Sequence, residues 1–127
     1  MKNLVFAFAL LCSTSLVAQF SYHVDENGVS GTGIQSPTNT ASGVYSIAMG
    51  SSAQANGGYS TVIGTQSVAT DIGSIAIGGG VNSDRLYSVG LGSSIAASGD
   101  YSMAMGYETQ ASGYSSTAMG NGTTANG

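Results

Sequence analysis

The chain is poor in most of what builds an ordinary globular core. Of its 127 residues none is tryptophan, one is cysteine, one is proline, and only Lys2 and Arg85 are cationic. Charged residues make up 6%, against about 25% in ordinary soluble domains. Two isolated cations exclude a nucleic-acid binder, because phosphate neutralisation needs clustered Lys and Arg. They exclude a polybasic membrane patch for the same reason. One cysteine, Cys12, excludes an internal disulfide framework and a thiolate zinc site.

Long apolar runs are confined to Leu4–Leu11. That run is too short to cross a membrane, which takes about 20 apolar residues. Preceded by Lys2 and followed by Leu16-Val17-Ala18, it has the layout of a secretory signal peptide cut after Ala18. Residues 1–18 are therefore expected to be removed, Cys12 with them. A lipid anchor on Cys12 is disfavoured by the bulky Leu11 before it. The mature chain keeps Arg85 against Asp25, Glu26, Asp71, Asp84, Asp100 and Glu108: one positive and six negative charges, a net of −5. Residues 19–30 form a short leader. In it Phe20, Tyr22 and Val24 alternate and Asn27-Gly28 marks a turn.

What is abundant is glycine, 20 residues, and it is periodic. From residue 45 the sequence repeats every 14 residues without gaps, opening at Tyr45, Tyr59, Gly73, Tyr87, Tyr101 and Ser115. Numbering columns within the repeat, column 2 is always Ser and column 6 always Gly: Gly50, Gly64, Gly78, Gly92, Gly106 and Gly120. Column 5 is always large and apolar: Met49, Ile63, Ile77, Leu91, Met105 and Met119. Residues 31–44 are a degenerate copy in the same register. The repeat region is thus 31–127, with six copies spanning 45–127, the last of them cut short at Ala125-Asn126-Gly127.

Alternation within Tyr-Ser-Ile-Ala-Met-Gly puts columns 3 and 5 on one face of a strand and columns 2 and 4 on the other. Hydrophobicity points to the column-5 residues as the repeat core. The small face, with Ser46, Ala48, Ser74, Ala76, Ser102 and Ala104, then offers a surface where another chain's backbone can approach. The column-6 glycines suit turns at positive φ, and Asn56-Gly57 and Ser98-Gly99 mark a second turn. Two short strands and two turns make one coil of an all-β solenoid. Recurrent glycine and the lack of a 3.6-residue stripe exclude helix. Six coils at ~4.8 Å make a rod about 29 Å long, stabilised only by stacking.

These residues resemble the head repeats of YadA-like trimeric autotransporter adhesins. Ser46, Ala48, Met49, Gly50, Ala55 and Gly57 fall on the consensus positions Asn-Ser-Val-Ala-Ile-Gly-x-x-Ser-x-Ala-x-Gly-x, as do Ser102, Ala104, Met105, Gly106, Ala111 and Gly113. The resemblance covers 45–127 and, weakly, 31–44. It implies a left-handed parallel β-roll, a homotrimer, and an adhesin head on a Gram-negative outer membrane that binds host matrix or cells without catalysis or cofactor. The sequence departs from the family in carrying Tyr rather than Asn at column 1 in four copies. It also carries Asp71 and Arg85 in place of Gly at column 13. The stalk and membrane-anchor barrel of such adhesins do not follow within this sequence, so the chain reads as a fragment or a truncated product.

Other chemistries find little support. His23 is the only histidine and sits in the leader; no Ser lies in Gly-x-Ser-x-Gly. Gly78-Gly79-Gly80 and Gly90-Leu91-Gly92 lack the rest of a phosphate loop. Asp71, Asp84 and Asp100 recur too irregularly for a calcium roll. No column is the threonine ladder an ice-binding solenoid needs. Tyr45, Tyr59, Tyr87 and Tyr101 form an interrupted aromatic column, which reads either as cross-coil stacking or as a contact surface. The expected function is an adhesin head. A passive fibre spacer is the alternative, with an ice- or carbohydrate-binding solenoid a remoter one.

Overall fold

The computed structural model describes residues 32–34 and 38–127. The signal peptide, the 19–30 leader and His23 lie outside the described residues. Those described fold as a parallel β-solenoid of about six turns with coils of about 14 residues and no helix. All pairing is parallel within one twelve-stranded sheet.

Each coil has a longer strand over columns 3 to 7 and a shorter one over columns 10 and 11. The longer strands are β3 (Val44–Ser51), β5 (Thr61–Thr65), β9 (Met103–Tyr107) and β11 (Thr117–Asn121). The shorter ones are β2 (Thr40–Ala41), β4 (Gln54–Ala55), β6 (Val68–Ala69), β10 (Gln110–Ala111) and β12 (Thr124–Ala125). In coils three and four the two merge into β7 (Ile75–Ser83) and β8 (Val89–Ala97). Register steps by one repeat: Met49 pairs with Ile63, Ile63 with Ile77, Ile77 with Leu91, Leu91 with Met105, and Met105 with Met119. Only β1 (Thr32–Ile34) breaks this register, pairing Thr32 with Val44 and Ile34 with Ile47.

The interior is not where hydrophobicity places it. Ser46, Ala48, Ser74, Ala76, Ser102 and Ala104, read from the sequence as a face for neighbouring chains, are all buried inside their own coils. Met49, Ile63, Ile77 and Met119, read as the repeat core, are exposed, and Leu91 and Met105 are only half-buried. The physical reason is width. A 14-residue coil brings its two strands so close that only small side chains fit between them, so size overrides hydrophobicity in deciding which face turns inward. The buried apolar set is accordingly alanine with Val62, Val81 and Ile95 as its largest members.

The invariant serine closes the first turn. The Ser46 amide donates to the Gly43 carbonyl at 3.2 Å and its Oγ donates to the same oxygen at 2.7 Å. Ser74 repeats this on Asp71 and Ser88 on Arg85. Ser60 and Ser116 hold the same place, but their Oγ atoms have no partner among the described residues. Column 9 supplies a second polar brace at two rungs. Asn39 donates through Nδ2 to the Gly50 carbonyl at 3.1 Å and accepts the Ala53 amide at 3.0 Å. Ser67 makes the equivalent pair with Gly78 and Val81.

Three columns hold left-handed backbone. Column 6 has φ between 120° and 140° in all six coils, a region essentially restricted to glycine. At Gly78 a β-carbon would also overlap the Gly92 carbonyl of the next coil. Column 1 has φ of 51–66° at Tyr45, Tyr59, Gly73, Tyr87, Tyr101 and Ser115. Column 8 is similar at Ser52, Gln66, Gly80, Ser94, Glu108 and Gly122.

Candidate interaction surfaces

With the interior filled by small side chains, the large ones line the outside and define two surfaces. The first is the outward face of the longer strands. Columns 3 and 5 stack there in register: Ile47, Thr61, Ile75, Val89, Met103 and Thr117 beside the Met49-to-Met119 series. Met49 is 47% exposed and Ile77 36%. Five steps of ~4.8 Å make this strip about 24 Å long. Ten of its twelve residues are apolar and none is charged.

The second surface is the corner formed by columns 13, 14 and 1. Here the tyrosines project, Tyr45 and Tyr59 each 65% exposed. Tyr45 stacks on Tyr59 with ring centroids 5.4 Å apart, and Tyr87 on Tyr101 at 5.8 Å. Tyr114, from column 14, meets Tyr101 edge-on at 5.6 Å. A bulky residue in the left-handed region costs on the order of 1–2 kcal/mol, and an aromatic pair returns about 0.5–1.5 kcal/mol. Stacking therefore offsets much of the strain that column 1 imposes on these side chains. Val44 and Ile72 lie exposed on the same corner.

The residues just after the shorter strands are bonded along the rod. Ser42 Oγ donates to Asn56 Oδ1 at 3.0 Å and Ser112 Oγ to Asn126 Oδ1 at 2.9 Å. On the opposite corner Tyr107 has its phenol pKa pushed up, first by a hydrogen bond to Glu108 and then by that residue's charge. Among the described residues no three His, Cys, Asp or Glu side chains gather as a metal would require. No helix among them is long and apolar enough to cross a membrane.

The apolar strip is the surface that the sequence reading missed. Its signal was present: columns 3 and 5 are the large residues of a coil with no room for them.

A rod of stacked 14-residue coils with an in-register apolar strip defines the molecule as a parallel β-solenoid of the head-repeat type. The YadA head domain repeat family matches residues 41–65, 55–80 and 97–123, more than half of the chain, and the protein belongs to that family. No curated protein and no solved structure matches it. The family is one of non-enzymatic, surface-exposed bacterial adhesins, and its head repeats imply an adhesin-type domain of the trimeric autotransporter kind.

Proposed function

We propose that the chain is the head of a cell-surface adhesin. It is exported by its signal peptide, assembles as a homotrimer, and binds host matrix or cell surfaces without catalysis or cofactor. The observation that carries this reading is the outward apolar strip. Monomeric soluble proteins rarely leave apolar patches of more than a few hundred Å² in contact with water. This chain cannot fold the strip inward, because its interior is already filled. A like strip on further copies is a natural cover, and the number three is supported by YadA head domains being parts of trimeric adhesins.

Three parallel rods around one axis would bury their strips against one another and turn three copies of the remaining surface outward. Weak contacts to a repetitive matrix polymer then add through avidity, by factors of about 10²–10⁴. Attachment to a Gram-negative outer membrane is part of the same proposal.

Light scattering on the protein beginning at Gln19, paired with adhesion to matrix-coated surfaces and intact cells, tests it. The expected result is a mass of three chains and measurable adhesion. Met49→Glu with Ile77→Glu should give a folded monomer that no longer adheres. A wild-type monomer contradicts the assembly; a trimer that adheres to nothing supports the passive spacer instead.

A further inference from the structure

The tyrosines of the turn corner stand as pairs of rings on neighbouring coils. The Tyr59 amide donates to the Val44 carbonyl and the Tyr101 amide to the Leu86 carbonyl, both at 2.8 Å, which fixes each pair one rung apart. The planes of Tyr45 and Tyr59, with centroids 5.4 Å apart, lie 28° from parallel. Those of Tyr87 and Tyr101, with centroids 5.8 Å apart, lie 19° from parallel. All four rings are exposed, from 48% at Tyr101 to 65% at Tyr45 and Tyr59. Gly73 supplies no ring between the two pairs.

Phenylalanine would stack at these positions as well. What tyrosine adds is a phenol, which loses one electron to give a radical that couples at its ortho carbons. Without residues 1–18 the chain holds neither cysteine nor lysine. Neither a disulfide nor a lysine amide can then join its coils, whereas coupled phenols can.

We infer that Tyr45–Tyr59 and Tyr87–Tyr101 are oxidative modification sites, at which dityrosine bonds weld neighbouring coils. The oxidant is hydrogen peroxide acting through a haem peroxidase. Each phenol gives up one electron and its O–H proton. The two radicals join through one Cε of each ring, and the hydrogens on those carbons leave as the hydroxyls re-form. For each bond the protein loses two hydrogens and one peroxide becomes two waters.

Geometry favours these pairs over the other tyrosines. The terminal torsion of tyrosine is broad, and exposed side chains reorient within nanoseconds. Stacked rings one rung apart, ~4.8 Å, therefore bring their ortho edges together by rotation alone. Tyr59 and Tyr87 are two rungs apart, about 9.6 Å. Tyr114 meets Tyr101 edge-on with planes 66° apart, a poorer approach for two ortho carbons. Tyr107 stands on the opposite corner, hydrogen-bonded to Glu108. A bond between residues 14 apart also closes a short loop in the unfolded chain, and so stabilises as a disulfide does.

Treatment of the protein beginning at Gln19 with hydrogen peroxide and a haem peroxidase tests the inference, independently of adhesion and assembly. Dityrosine fluorescence reports the reaction, and a denaturing gel separates bonds within a chain from bonds between chains. Cleavage before aspartate yields residues 25–70 with Tyr45 and Tyr59, 84–99 with Tyr87, and 100–127 with Tyr101. Mass spectrometry should find two hydrogens lost within 25–70, and 84–99 covalently joined to 100–127. Methionine sulfoxide adds oxygen and is told apart by mass. Tyr59→Phe should abolish the first product and Tyr101→Phe the second, each with its ring kept, whereas Tyr107→Phe should retain both. Oxidised wild type should melt about 5–15 °C above the untreated protein, and the Tyr59→Phe/Tyr101→Phe double variant should show no such rise. Absence of dityrosine, bonds only between chains, either product surviving in the double variant, or an unchanged melting temperature with both products formed overturns the inference.

Discussion

Gly90 and Val81 share one space where the third and fourth coils meet. A β-carbon on Gly90 would lie 2.5 Å from Val81 Cγ1, 2.8 Å from Ser83 Oγ and 3.2 Å from Ile95 Cγ2, so the glycine makes room for Val81 first and for Ile95 beside it. Elsewhere the same trade holds in other proportions, with Val62 sharing its coil with Ser67 and Ala104 with Thr109. Gly90→Ala is expected to overpack the coil by about 1–3 kcal/mol. Val81→Ala alone should cost about 1–3 kcal/mol by leaving a cavity. The double variant should cost less than the two together, by about 0.5–3 kcal/mol of coupling. Thermal or urea unfolding of the four proteins checks this; strict additivity would show that the two residues do not compete for space.

The turn glycines make a sharper contrast. Gly78 has φ of 131° and stacks directly on Gly92, whereas Thr65 is exposed on the previous coil. Gly78→Val should lower stability by at least about 1–3 kcal/mol from backbone strain alone, and Thr65→Val by no more than about 0.5 kcal/mol. Equal melting temperatures would contradict the left-handed assignment of column 6.

Much of this fold was legible because it is periodic. The Gly50-to-Gly120 column, the two turns per coil and the 14-residue step are local facts about backbone freedom, and they survive in the sequence. Which face turns inward was not legible from hydrophobicity. Met49 looks like core and Ala48 like surface until the width of the coil is known, and that width comes from backbones meeting across the interior. Nor did the strain at Tyr45 and Tyr59 show in the sequence, since tyrosine carries no signature of positive φ. The family's preference for Asn at that column was the available clue, because asparagine tolerates left-handed backbone better than other non-glycine residues.

Adjacent residues should therefore respond oppositely to the same change. Ala76→Glu places a carboxylate where relative exposure is zero. An isolated buried charge costs several kcal/mol, so this variant is expected to lose its strand signal in circular dichroism. Ile77→Glu, on the outward strip, should keep that signal while its assembly weakens. A folded Ala76→Glu protein would return the small face to the outside.

At column 1 the test separates strain from stacking. Tyr59→Asn gives up the ring contact with Tyr45 but suits a φ of 59°, so a net change within about 1 kcal/mol is expected. Tyr59→Ile gives up the same contact and keeps the strain, and should melt below Tyr59→Asn by the equivalent of about 1–2 kcal/mol. The reverse order would mean that the backbone there is not held left-handed.

The account turns on which face of the strand meets another chain, and a chemical cross-link reads that most directly. Without residues 1–18 the chain has no cysteine, so one can be introduced at will. Ile77→Cys and Ala76→Cys, each beginning at Gln19, would be treated with a short bis-maleimide and separated under denaturing conditions. The account predicts a two-chain band for Ile77→Cys and none for Ala76→Cys, whose thiol would lie inside its own coil. A two-chain band from Ala76→Cys, or none from Ile77→Cys in a protein of trimer mass, would contradict it.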